Sequence, residues 1–135
     1  MATKRARPLP RPTPTTQPFW DGARKKKLML QYDPAARAYQ FWPRQCSVLT
    51  GKRNVQWKET SGKGAIYAVT ETHVPAAGFE GREPYLLGLI DLDEGVRIIA
   101  NLVNMEVADA KIGARVKVVW EKLSDDINYF AFEPE

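Results

Sequence analysis

The side chains in this chain that could do covalent or metal chemistry are few, and their spacing argues against each. There is one cysteine, Cys46, and one histidine, His73. A nucleophilic thiol needs a base or a cation beside it to lower its pKa. His73 falls in a different predicted element, in a strand ending at Val74-Pro75. Cys46 therefore reads as a structural thiol and His73 as a rim residue. Asp91, Asp93 and Glu94 are hard oxygen donors, yet Asp93-Glu94-Gly95 between two strand-like runs is a hairpin signal that accounts for the last two. Gly62-Lys63-Gly64 lacks the Walker spacing and leads into a strand, so no helix dipole would meet a phosphate there. A lone cysteine makes no internal disulfide, and the sequence does not hold the four Cys or Cys/His ligands of a structural zinc site.

The sharper signal is aromatic and cationic. Phe19, Trp20, Phe41, Trp42 and Trp57 lie among Arg24, Lys25, Lys26, Arg44, Lys52 and Arg53. Such a mixture can stack bases along single-stranded nucleic acid. It can equally hold an adenine and neutralise the phosphates of coenzyme A, or close a small core between a helix and a hairpin. The 135 residues carry a net charge of +4, but residues 1–27 alone carry +7, from eight Lys or Arg against Asp21, leaving −3 on the remainder. A basic arm on a mildly acidic body fits an anionic partner without choosing among nucleic acid, a phosphorylated ligand and an acidic protein. A solubilising tail explains it as well. No apolar run approaches the roughly 20 residues of a membrane helix. The opening MATKRARPLPRPTPTT has no apolar core of a secretory signal. A cytoplasmic protein without membrane contact is the expectation.

The elements that must position these groups change character along the chain. Five of the ten prolines fall in the first 18 residues, which predicts an extended basic arm over 1–15. The run from Pro18 to Leu28 reads as a short helix, capped by Thr16 or Gln17, with Phe19, Trp20, Ala23 and Leu28 on one face. Cations at 24–27 suit the negative end of its dipole. From Met29 the period is two. Strands are predicted at 29–32, 39–42, 54–59, 64–74, 85–92, 95–103, 115–122 and 127–133, and only 105–111 offers a helical turn. The expected class is mainly β, with an OB-fold barrel over 61–135 preceded by the helix and ribbon-like hairpins of 16–60.

Several short motifs then fall in a specific order: Pro18-Phe-Trp-Asp-Gly22, Leu30-Gln31, Phe41-Trp-Pro-Arg44, and Trp57 followed by Ser61-Gly-Lys-Gly-Ala65. Pro84-Tyr85, Leu92-Asp-Glu-Gly-Val96, Ile112-Gly113 and Phe132-Glu-Pro134 complete the series. In this order the chain resembles, from about Pro14 to Pro134, the acyl-CoA-associated proteins that join an N-terminal helix, a rubredoxin-like zinc ribbon and a C-terminal OB-fold. Members of that family usually carry two CxxC pairs separated by a gap holding the Pro-Arg dipeptide. Laid on this sequence, the four positions are Asp33, Ala36, Ser47 and Thr50; the spacing survives and every thiolate is gone. The resemblance thus implies a metal-free, degenerate ribbon. Packing of Tyr32, Tyr39, Phe41, Trp42 and Val48 would replace a cross-link that contributes roughly 10–16 kcal/mol in small zinc domains.

The resemblance implies a non-catalytic accessory subunit of a thiolase-type enzyme that condenses or cleaves acyl-CoA. It would dock on a thiolase-like, hydratase or aldolase subunit in a hetero-oligomer and help hold the acyl-CoA. On that reading Phe19, Trp20, Arg24, Lys25, Phe41, Trp42 and Arg44 face coenzyme A, while Phe79, Arg82, Phe130 and Phe132 dock the partner. No cofactor is held tightly, and a coenzyme A thioester is the shared substrate. The competing reading is a single-stranded nucleic-acid-binding OB protein, which the −3 charge of the body opposes.

Overall fold

The computed structural model describes residues 5–135, so the first four residues of the basic arm lie outside the described residues. Helix α1 (Gln17–Arg24) has Thr16 at its N-cap without a side-chain cap bond, Pro18 in its first turn and Arg24 in its last. It stops four residues before Leu28. The chain reverses at Lys26, whose φ is +59°, so that the Lys27 amide donates back to the Gly22 carbonyl. Gly22 is required at this reversal, since a Cβ there would lie 2.3 Å from Cγ of Met29.

Strands β1 (Met29–Asp33), β2 (Ala38–Gln40) and β3 (Gln56–Glu59) form an antiparallel sheet in the order β2-β1-β3. Gln31 stands opposite Gln40 on one side and Trp57 on the other. Two strands are shorter than their sequence period predicts. The chain from Phe41 to Val55 forms no ladder and is held by two backbone bonds between Ser47 and the 51–52 turn and by side chains.

The rest closes into a barrel of β4 (Lys63–Thr72), β5 (Tyr85–Leu92), β6 (Arg97–Leu102), β7 (Arg115–Lys122) and β8 (Asn128–Pro134), ordered β4-β5-β6-β8-β7 with β7 returning to β4. β6 and β8 run parallel and the other pairs antiparallel, the connectivity of an OB-fold. Gly95 closes the β5–β6 hairpin at φ +84°, as the Asp-Glu-Gly signal requires. Residues 105–111 form turns and no helix.

Inward positions alternate along the strands: Leu86, Ile90 and Leu92 on β5, then Ile98, Ala100 and Leu102 on β6, are all buried. Phe130 and Phe132 belong to this interior, at 1% and 0% exposure. That corrects their assignment as docking residues. Two apart on β8, they share a face, and that face is the barrel core. Phe19, buried on α1, lies 6.1 Å from the Phe41 ring and 6.0 Å from Phe130, so helix, ribbon sheet and barrel share one core.

Candidate functional site

At the end of the ribbon sheet, Asp33, Ala36, Ser47 and Thr50, the positions the resemblance set against metal ligands, form a hydrogen-bonded knot. Asp33, 1% exposed, accepts bonds at Oδ1 from the Ala35 amide (2.8 Å), the Ala36 amide (3.2 Å) and Asn54 Nδ2 (3.1 Å). Its Oδ2 accepts the Thr50 hydroxyl at 2.7 Å. Ser47 Oγ, also buried, accepts the Leu49 and Thr50 amides at 3.1 and 3.2 Å. Each turn thus aims the amides two and three residues ahead at a side-chain oxygen. The Ser47 and Thr50 hydroxyls and the Ala36 and Ala35 amides hold the Asp33 carboxyl far below its ordinary range, against the opposing effect of burial. These residues do not fit a structural zinc: they offer one carboxylate already engaged by donors, a methyl group and two hydroxyls, with no thiolate.

A second set of bonds holds the loop that follows β2. Gln31 Nε2 donates to the Arg44 carbonyl (2.7 Å), and Gln31 Oε1 accepts both the Arg44 amide (2.8 Å) and Gln40 Nε2 (2.7 Å). Gln40 Oε1 accepts the Val48 amide (2.8 Å), and its Nε2 also donates to the Cys46 carbonyl (3.2 Å). Both glutamines are buried. The expected aromatic replacement for the metal is therefore corrected in part. Tyr32 and Tyr39 do meet, at 4.9 Å, but Trp42, whose one aromatic contact among the described residues is with its chain neighbour Phe41, and Val48 are 48% and 58% exposed. Sequence reading missed both glutamines. Only the pairing of β1 with β2, which the structure supplies, sets the two opposite one another.

The seven residues set against coenzyme A divide into interior and surface. Phe19 is buried and Phe41 half-buried, and both serve the shared core. Trp20 is half-buried against Tyr129, and exposed Trp42 stacks on Phe41 at 4.0 Å. Arg24 is engaged with Asp21 at 3.3 Å and Asp126 at 3.9 Å. Lys25 and Arg44 are exposed and form no ion pair with a described carboxylate.

The barrel loop is occupied from within the chain. Phe79 is half-buried, 5.3 Å from Tyr85 and beneath the Arg7 guanidinium at 4.7 Å. Arg7 also pairs with Glu121, which accepts Arg82 at 3.1 Å. Burial alone would raise the Glu121 carboxyl, and the two guanidiniums bring it below its ordinary value. The arm is extended, as its prolines predict, but the part over 6–10 is docked. It passes so close to Gly78 that a Cβ there would lie 2.8 Å from Cα of Arg7.

The acidic hairpin is used structurally. Asp93 takes both terminal nitrogens of Arg115, at 2.7 and 2.8 Å, Asp91 takes Arg97, and Glu94 accepts the Ser61 amide. His73 pairs with Glu71 at 2.7 Å, and Cys46 lies in the ribbon loop. Among the described residues no three His, Cys, Asp or Glu side chains gather as a metal set. The outer side of β5 and β6 presents Leu87, Leu89 and Ile99 with one cation, Arg97, already bonded to Asp91. No helix among the described residues is long and apolar enough to cross a membrane.

Comparisons with known proteins agree with this architecture. The family described as "ChsH2, C-terminal OB-fold domain" matches residues 57–121. A DUF35 domain-containing scaffold protein of Pyrococcus furiosus is 34% identical over 107 residues, covering 79% of each chain. The 3-oxo-4,17-pregnadiene-20-carboxyl-CoA hydratase alpha subunit of Mycobacterium tuberculosis is 28% identical over 119 residues, 87% of this chain but 37% of that protein. The chain spans 55% and 36% of the length of two further curated relatives. Among solved structures, a chain of the Ltp2-ChsH2(DUF35) aldolase superposes with a TM-score of 0.82 at 24% identity, over 93% of this chain and 98% of that one, which establishes the shared fold. At 34% identity to the scaffold protein of Pyrococcus furiosus over 79% of each chain, the chain belongs to the DUF35 family.

Proposed function

We propose that this chain is a non-catalytic accessory subunit of an acyl-CoA enzyme, docking on the catalytic subunit and helping to hold the coenzyme A thioester. The observation that carries the reading is the correspondence of 87% of the chain to part of a protein named as an acyl-CoA hydratase alpha subunit. The aldolase named for its DUF35 chain, and relatives named as scaffold proteins, support the same role. A thiolase-type, hydratase or aldolase partner fits equally.

Lys25 and Arg44 supply the anion-binding part. Both are exposed cations without a carboxylate of their own, and each stands in sequence near a tryptophan with accessible ring surface, Trp20 or Trp42. A guanidinium or ammonium left unpaired can neutralise a phosphate at lower cost than one that must first break an ion pair. Arg24, tied to Asp21 and Asp126, plays a lesser part. The nucleic-acid reading lacks a cationic track on the β5–β6 face, where the single arginine is already bonded to Asp91.

The test is co-expression with candidate catalytic subunits of the same host, chosen as hydratase-, aldolase- or thiolase-like acyl-CoA enzymes. One of them should co-elute with the chain, and Lys25→Ala with Arg44→Ala should raise KM for the acyl-CoA several-fold while leaving the complex intact. Turnover of acyl-CoA by the purified chain alone, or failure to associate with any such subunit, would sink the reading.

A further inference from the structure

The chain's charges are unevenly spread: the ribbon sheet holds two carboxylates, Asp33, which is buried, and Glu59, which pairs with Lys27, and the stretch between them holds none. Residues 34–58 hold Arg37, Arg44, Lys52, Arg53 and Lys58 and not one Asp or Glu, whereas residues 61–135 carry 13 acidic and seven basic residues. On the barrel, Lys63, Arg82, Arg97, Arg115 and Lys122 each pair with a carboxylate of the barrel itself. Within residues 34–58 none of the five cations pairs with a described carboxylate; Lys58 lies 3.8 Å over the Tyr32 ring. A protein stabilised only by its own charges would be expected to mix the signs throughout.

The Asp33 knot gathers part of this charge into one place. Through its two oxygens Asp33 binds the turn at 35–36, Thr50 and Asn54, and so ties together the segments that carry Arg37, Lys52 and Arg53. Between those segments the same turn exposes Val48 at 58% and Leu49 at 53%. Their backbone is fixed from beneath: the Val48 amide by buried Gln40, the Leu49 amide by buried Ser47. Two aliphatic side chains are thus presented on a rigid turn, with three unpaired cations on the segments bound to it. A preorganised turn loses little entropy when it is covered. Apolar centre with charged rim is the arrangement of a protein interface.

We propose that this ribbon tip, Val48 and Leu49 rimmed by Arg37, Lys52 and Arg53, is the surface that docks on the catalytic subunit, in an apolar recess bordered by Asp or Glu. The proposal rests on the accessory-subunit reading and adds to it where the contact lies and what its counterpart must look like. Charge complementarity selects an acidic rim. The aliphatic centre selects a protein, because isobutyl and isopropyl groups offer nothing to a stacked base. Phe79 and Arg82, which the arm and Glu121 already engage, are left outside the contact.

The test uses the full chain co-expressed with the acyl-CoA enzyme subunit of the same host that co-purifies with it. Val48→Asp and Leu49→Asp should each weaken the complex by about 30-fold or more, the size of a hot-spot loss. The Lys52→Glu, Arg53→Glu double variant should slow association roughly tenfold and flatten its salt dependence. Val74→Asp, at a residue 85% exposed on the barrel loop, should change nothing. All of these residues being exposed, the melting temperature of the isolated chain should stay put. If wild-type chain binds and the Val48 and Leu49 variants bind as well, the surface is misassigned while the accessory role stands. If no acyl-CoA enzyme subunit binds the wild-type chain, both fall together. Oligo(dT) binding that depends on Lys52 and Arg53 but not on Val48, or a homodimer abolished by Val48→Asp, would also overturn the proposal.

Discussion

The Thr50 hydroxyl donates to Asp33 Oδ2 at 2.7 Å across 17 residues of sequence, joining the two turns of the ribbon sheet. Both residues stand at positions that the family resemblance matches to metal ligands, and the structure joins them by a hydrogen bond. Its strength derives from ionisation: a carboxylate accepting several donors in a buried setting binds them more tightly than its protonated form would.

Stability should therefore depend on pH through Asp33. Its carboxyl is held below the ordinary value in the folded chain, so its contribution is complete above the unfolded carboxylate's pKa of about 4 and is lost progressively as pH falls below that. Asp33→Asn should lower the melting temperature at pH 7 and shrink the difference between pH 7 and pH 3, read by circular dichroism. A chelator should leave the melting temperature of the wild-type chain unchanged. A clear drop with chelator would show that a metal, and not this knot, holds the turns.

Gln40→Met keeps the volume of the side chain and removes its polar end. The part-buried Val48 amide and Cys46 carbonyl lose a partner, while Gln31 Oε1 keeps the Arg44 amide, at about 1–3 kcal/mol for a group left unsatisfied. The expected signature is local: faster amide exchange over 44–49 with barrel amides unchanged.

Truncation of Phe130 to Ala should destabilise the whole chain by about 3–5 kcal/mol, because it opens a cavity where the Phe19, Phe41 and Phe132 rings meet. Phe79→Ala should cost clearly less, since that ring is only half-buried. Equal losses in urea titrations would contradict the placement of the common core.

The arm should be removable at modest cost. Arg7→Ala leaves Glu121 with Arg82 as its remaining partner and should release residues 6–10 from the barrel, seen as protease cleavage within the arm and an intact barrel. Gly78→Val should do the same by steric exclusion, as its side chain would occupy the space of the Arg7 backbone.

Much of this molecule is local and therefore written in the chain order. Period-two alternation marks β5 and β6, Asp93-Glu94-Gly95 marks a hairpin because Gly takes the left-handed backbone, and positions 33, 36, 47 and 50 offer no thiolate. What depends on residues far apart was decided only by the tertiary structure. The spacing of Phe130 and Phe132 puts them on one face of β8, but barrel closure determines that this face is the interior. Nothing in a glutamine's neighbours announces that Gln31 and Gln40 will hold a loop, nor that Arg7 will sit between Phe79 and Glu121. A polar side chain is satisfied by whichever donors and acceptors the fold brings to it. Periodicity records which face of an element is apolar, and carries no record of the partner across the space between elements.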